Sequence, residues 1–169
     1  MANMIPISTV TVGSGGAGTI DFTNIPQIYT DLVLKASVRG DSTGAAFTAI
    51  RLLPNNTSSN GSTKWLRGNG SAASSDSDTT GIYSGEADTA AATASTFANI
   101  EWYIPNYGSS NNKSFSVDSV HENNATAAYA HLVAGLWSNT SPISSLILDL
   151  ASGSFVQYST ATLYGIRKY

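Results

Sequence analysis

The chain has 169 residues, a formal net charge of −3 and only 11% charged residues, against about 25% in ordinary soluble domains. Its 25 Ser, 18 Thr, 13 Asn and 15 Gly build a polar surface from neutral hydroxyls and amides, while 41% hydrophobic residues exclude a disordered polar polymer. The eight Lys and Arg are scattered, which leaves no electrostatic footprint for nucleic acid, and the absence of Cys excludes disulfides, thiolate metal sites and a cysteine nucleophile.

Met1 to Val12 lacks a basic start followed by an apolar stretch, and no later run approaches the ~18 apolar residues of a membrane span. A mature chain assembled where it is made, away from membranes, is the expectation. Seven Asn-x-Ser/Thr triplets start at Asn55, Asn56, Asn60, Asn69, Asn112, Asn124 and Asn139. With Asn, Ser and Thr this abundant and no secretory leader, they read as chance matches rather than glycosylation sites.

Hydrophobic periodicity is two along most of the chain. Ile5 to Val12 opens it as a strand, part of an N-terminal arm over residues 1–20 that includes the Gly13 to Gly18 turn. Gly18 to Phe22 is a weaker strand candidate. Thr30 to Arg39 is the clearest element, with Leu32, Leu34, Ala36 and Val38 alternating against a mostly polar row of Asp31, Val33, Lys35, Ser37 and Arg39. Phe47 to Leu53 follows. Residues 54–80 read as a long polar loop around an apolar island at Trp65-Leu66, with Lys64 to Arg67 and then Gly81 to Ser84 as weaker strands. Ala87 to Ala98 has the alanine content for a turn or two of helix. Further strands are expected at Ser95 to Ile104, Lys113 to Val120, Thr126 to Trp137, Ile143 to Leu150 and Phe155 to Arg167. Joined by Gly-, Asn- and Pro-rich turns, these predict one all-β domain over residues 1–169, an antiparallel β-sandwich of jelly-roll-like type with about eight to ten strands.

No motif for catalysis or cofactor binding emerges. The glycine-rich Gly13 to Gly18 stretch precedes the strand pattern Thr19-Ile20-Asp21-Phe22, whereas phosphate cradling needs a helix N-terminus. Asp118, His121 and Glu122 offer mixed ligands, but in a strand they fall on opposite faces, and Asp76 with Asp78 supplies only two carboxylates. No metal is assigned to either set. Glu101, beside Trp102 and Tyr103, lacks the second carboxylate that glycoside hydrolysis requires. Aromatic rings next to amides and hydroxyls suit sugars, so Trp65, Tyr83 and Tyr107 are candidate glycan or partner contacts, with Tyr129 and Tyr158 as further platforms.

Several strings carry a resemblance. Ile25 to Leu32 followed by Ser37-Val38-Arg39, then Ile104-Pro105-Asn106-Tyr107, Gly135-Leu136-Trp137-Ser138 followed by Pro142 to Leu146, and Ser159 to Ile166, resemble a module of structural proteins of tailed bacteriophages, notably of marine and cyanobacterial hosts. The chain is similar to the end domain of tail or capsid appendage proteins from Phe22 to Ile166. The resemblance implies a virion component without catalytic residues or cofactors. With no long shaft preceding the module, it favours a capsid decoration or cement-like protein, or a short appendage knob, over a tail fibre. Its expected partners are copies of itself, as a homotrimer, and other capsid or tail proteins. The alternatives are a knob that recognises host surface glycans and, third, a small glycan hydrolase.

Overall fold

A computed structural model describes residues 3–79, 81–124 and 127–167. Thr80, at the end of the predicted loop, and Thr126, at the start of a predicted strand, lie outside the described residues.

Twelve strands form two antiparallel sheets packed face to face. The chain order is β1 (Asn3–Thr11), β2 (Thr19–Phe22), β3 (Asp31–Val38), β4 (Phe47–Pro54), β5 (Gly61–Gly68), β6 (Ala73–Asp78), β7 (Tyr83–Asp88), β8 (Ala98–Pro105), β9 (Lys113–His121), β10 (Tyr129–Trp137), β11 (Leu146–Leu150) and β12 (Thr160–Arg167). The large sheet runs β1-β12-β3-β8-β9-β10-β5-β6 and the small one β2-β11-β4-β7. The sandwich is as expected. Its eight-and-four division and the sequential β8-β9-β10 run differ from the balanced pair of sheets in a jelly roll.

The core follows directly from the period-two pattern. Leu32, Leu34, Ala36 and Val38 on β3 and Ile100, Trp102 and Ile104 on β8 face Ile20, Phe22, Ile50, Leu52, Leu146 and Leu148 of the small sheet, and all are buried. No α-helix occurs among the described residues, and the Ala87 to Ala98 stretch is strand end and loop. Alanine content alone, without an apolar stripe to dock, does not hold a helix.

The predicted loop 54–80 is corrected. It contains β5 and β6, which pair with each other and attach to β10 through β5. β6 is Ala-Ser-Ser-Asp-Ser-Asp, an edge strand exposed along most of its length, so it has no apolar face to announce it in the sequence.

Segments around Pro26, Tyr107, Ile143 and Gly165 meet at one end of the sandwich. The Tyr107 hydroxyl donates to Pro26 O, Gln27 Nε2 donates to Ile143 O at 2.9 Å, and Ile143 N donates to Tyr107 O at 2.9 Å. Gly165 lies against Tyr29, where a Cβ would stand 2.3 Å from the ring. Segments more than a hundred residues apart are thereby tied into one corner.

Candidate functional site

Two places gather chemistry: a groove on the outer face of the large sheet, and a buried polar cluster between the sheets.

The groove follows from cross-strand registers. One row across the outer face runs Tyr103, Ser116, Ala134, Lys64, Ser77, and the next runs Glu101, Asp118, Leu132, Leu66, Ser75. Small side chains at Ser114, Ser116 and Ala134 make the floor. Tyr103 and Pro105 flank it on β8, and Lys64 and Leu66 on β5, enclosing a cavity of about 820 Å³. Leu132 is 62% exposed, Leu66 53% and Tyr103 37%, an unusual apolar display on an otherwise hydroxyl-rich face.

The buried cluster is built from three strands. On β9 and β10, inward positions alternate as Phe115, Val117, Ser119, His121 and as His131, Val133, Gly135, Trp137. Register places His131 opposite Ser119 and His121 opposite Tyr129, so the two imidazoles are diagonal neighbours with centroids 6.1 Å apart. β7 comes from the other sheet. Its pairing with β4 slips between Ala49 and Arg51, and Gly85 within the slip has φ +105°. A Cβ there would stand 2.2 Å from Ser119 Oγ, so only glycine lets β7 lie this close to β9.

Beyond the bulge, Glu86 and Asp88 reach the histidines. Glu86 Oε2 is 3.1 Å from His121 Nε2 and 3.4 Å from His131 Nε2, and Asp88 Oδ1 is 3.3 Å from His121 Nδ1. Glu86 Oε1 accepts from Arg67 Nη1 at 3.1 Å and from the Tyr83 hydroxyl at 3.2 Å. Asn123 Nδ2 donates to Asp88 Oδ1 at 2.7 Å. Arg67 also lies 4.6 Å over the Tyr129 ring, and Phe47 packs on both His121 and Tyr129. Burial alone would raise Glu86's pKa, but its close contacts with the His121 and His131 imidazoles outweigh it and hold the carboxyl at about 2. Burial likewise opposes charge on His121, and its contacts with Asp88 and Glu86 overcome this and raise its pKa.

The candidates from sequence are divided between these places and the rest of the fold. Tyr107 is fully buried, with its hydroxyl tied to Pro26 O. Tyr83 is buried with its hydroxyl on Glu86, and Trp65 is half-buried on the inner face, its ring 4.5 Å from that of Tyr83. None of these three presents an open ring face outward, because each occupies an inward strand position or a tied corner. Tyr129 serves the buried cluster, and Tyr158 is 70% exposed. Asp118 and Glu122 are exposed while His121 is buried, so that trio is divided between faces as its parity requires. Asp76 lies on the exposed strand β6 with Asp78, and Glu101 pairs on the outer face with Lys35 at 2.8 Å.

Of these cluster residues, only His121, Tyr83 and Tyr129 were candidates from sequence. Among the described residues, Glu86, His121 and His131 are the one set of three metal-type ligands whose donor atoms all lie within 4.8 Å of one another. The available signals were the inward parity of both histidines and the i, i+2 pair Glu86 and Asp88. Compared with models of protein families, with curated proteins and with solved structures, the chain has no match in any of the three.

Proposed function

We propose that this chain is a non-enzymatic structural protein of a phage particle, a decoration, cement or short appendage protein that associates with copies of itself and with neighbouring virion proteins. The observation that carries the self-association is the open edge of β1. This nine-residue strand, Asn-Met-Ile-Pro-Ile-Ser-Thr-Val-Thr, has no charged side chain, and among the described strands it pairs with β12 alone. Unpaired edges of this kind are templates for another chain, and natural monomers usually guard them with charge. The opposite edge, β6, carries Asp76 and Asp78 and is guarded in that way. The resemblance of Ile25 to Leu32, Gly135 to Leu146 and Ser159 to Ile166 to phage structural modules supports the particle context.

Sedimentation velocity of the purified chain, together with mass spectrometry of particles from the encoding phage, tests the reading. A trimer or other defined oligomer, found stoichiometrically in particles, is expected. A strict monomer that is absent from particles overturns it.

The outer-face groove favours a second reading, a knob that binds host surface glycans. Tyr103 offers a partly exposed ring next to Ser116 in a groove also lined by Ser114 and, on its far side, Ser75 and Ser77, which is the chemistry that sugars select. Binding on a glycan array that is lost in Tyr103→Ala supports that reading. Failure of the wild type to bind any glycan or adsorb to host cells removes it.

A further inference from the structure

We propose that Glu86, His121 and His131 form a binding site for one first-row divalent metal ion of the zinc type, which ties the small sheet to the large one. This goes beyond the structural role proposed above and does not depend on it.

The spacing of the donor atoms is right. A tetrahedral zinc with bonds of about 2.0–2.1 Å sets its ligand atoms about 3.3 Å apart, and Glu86 Oε2 stands 3.1 and 3.4 Å from the two imidazole Nε2 atoms. All the donor atoms lie within 4.8 Å of one another, close enough to converge on one ion. Two imidazoles and one carboxylate are also the ligand types that zinc and its neighbours prefer over hard, oxygen-seeking cations.

The orientation of the rings agrees. Each histidine turns Nε2 toward the shared point while Nδ1 is engaged elsewhere, on Asp88 Oδ1 for His121 and 3.4 Å from the Tyr83 hydroxyl for His131. Outer partners of this kind hold a ligating imidazole in one tautomer and one pose.

An unpartnered atom is the independent sign. His131 Nε2 is buried and makes no hydrogen bond, because its approach to Glu86 lacks the alignment of one. A buried ring nitrogen left this way is costly unless something fills the space in front of it.

Charge points the same way. Glu86 and Asp88 are both buried, and among the described residues Arg67 is the only Lys or Arg that forms an ion pair with either acid. One further positive charge is needed near them, supplied by a metal or by a proton on imidazole. A cavity of about 240 Å³ lined by Gly68, Glu122, Ala128 and Tyr129 reaches His121 and offers an ion a path.

Such an ion would link β7 of one sheet to β9 and β10 of the other, the cross-link that a chain without cysteine cannot make covalently. The test uses the full chain, stripped with EDTA and titrated with Zn²⁺ by calorimetry and with Co²⁺ by absorption. One equivalent of each is expected, with intense low-coordinate Co²⁺ bands and a higher thermal midpoint at saturating Zn²⁺. Asp88→Asn, which alters the partner of the far nitrogen of His121 and removes none of the three proposed ligands, should weaken Zn²⁺ binding about 10- to 100-fold. His131→Asn should abolish stoichiometric uptake. A wild-type chain that takes up neither ion, or a folded His131→Asn chain that binds as the wild type does, overturns the proposal.

Discussion

His121 and Glu86 face each other across the sandwich, with Nε2 of the ring 3.1 Å from Oε2 of a carboxylate that enters from the opposite sheet. The other ring nitrogen lies 3.3 Å from Asp88, so one imidazole spans two buried acids.

In the metal-stripped chain this arrangement fixes how stability depends on pH. Glu86 is depressed from its ordinary 4.5 to about 2 and Asp88 is also lowered, both against the opposing effect of burial. Their contribution is therefore complete above about pH 4.5 and is lost as pH falls through the folded values. His121 is raised above its ordinary 6.5, so its contribution is complete below that value and is lost as pH rises through the folded one. Denaturant unfolding in EDTA should show maximal stability in the mildly acidic window between 4.5 and 6.5, declining on either side. The acid limb should amount to something on the order of 2–3 kcal/mol. A flat profile from acid to neutral pH would contradict the bridged arrangement.

Lys113 is buried without a carboxylate in contact. Its ammonium donates to Ser109 O at 2.7 Å, Asn139 O at 3.2 Å and Ser141 O at 2.6 Å, joining two loops beside the Trp137 ring. Lys113→Met keeps the stem but leaves three carbonyls without that donor, and should cost about 2–3 kcal/mol. Urea midpoints report this directly, and an unchanged midpoint would mean that water satisfies the carbonyls equally well.

Gly165 and Tyr29 form a close pair at one end of the sandwich. Gly165→Ala should destabilise by about 1–3 kcal/mol through overpacking, because the new methyl would overlap the ring. In Tyr29→Ala the same glycine change should cost much less, and the difference is the coupling between the sites. Additive costs would show that the ring moves aside freely.

How far the sequence disclosed this molecule depends on what each strand touches. β8, β9 and β10 have one face in the core and one largely in solvent, and β3 keeps this pattern from Leu34 to Val38, so alternation marks them plainly. β6 has neither face buried, and its serines and aspartates read as loop. β7 is buried throughout and interrupted by the bulge at Gly85, so it shows no alternation. The buried cluster suffered from the same limitation. Parity places His121 with Val117 and His131 with Val133 on the inner face, yet the acids that meet them come from the other sheet, 33 and 35 residues before His121. Grouping His121 with its chain neighbours Asp118 and Glu122 joined residues that the pleat separates.

The β1 edge makes self-association open to a surgical test. Pro6 removes one donor from the strand, and the register slips between Pro6 and Ser8, so the pairing surface divides into a stretch around Met4 and one from Ser8 to Thr11. A lysine in each stretch blocks both. Met4 and Thr11 are exposed on the edge, so Met4→Lys with Thr11→Lys should leave folding stability within about 0.5 kcal/mol. An ammonium at an open edge opposes pairing, because a second strand laid against it must desolvate the charge or place it against its own copy. Sedimentation velocity should then show the double variant as a monomer with an unaltered thermal midpoint, under conditions in which the wild type is an oligomer. If the variant assembles as the wild type does, β1 is not the interface, and the apolar groove around Leu66 and Leu132 becomes the surface that copies share.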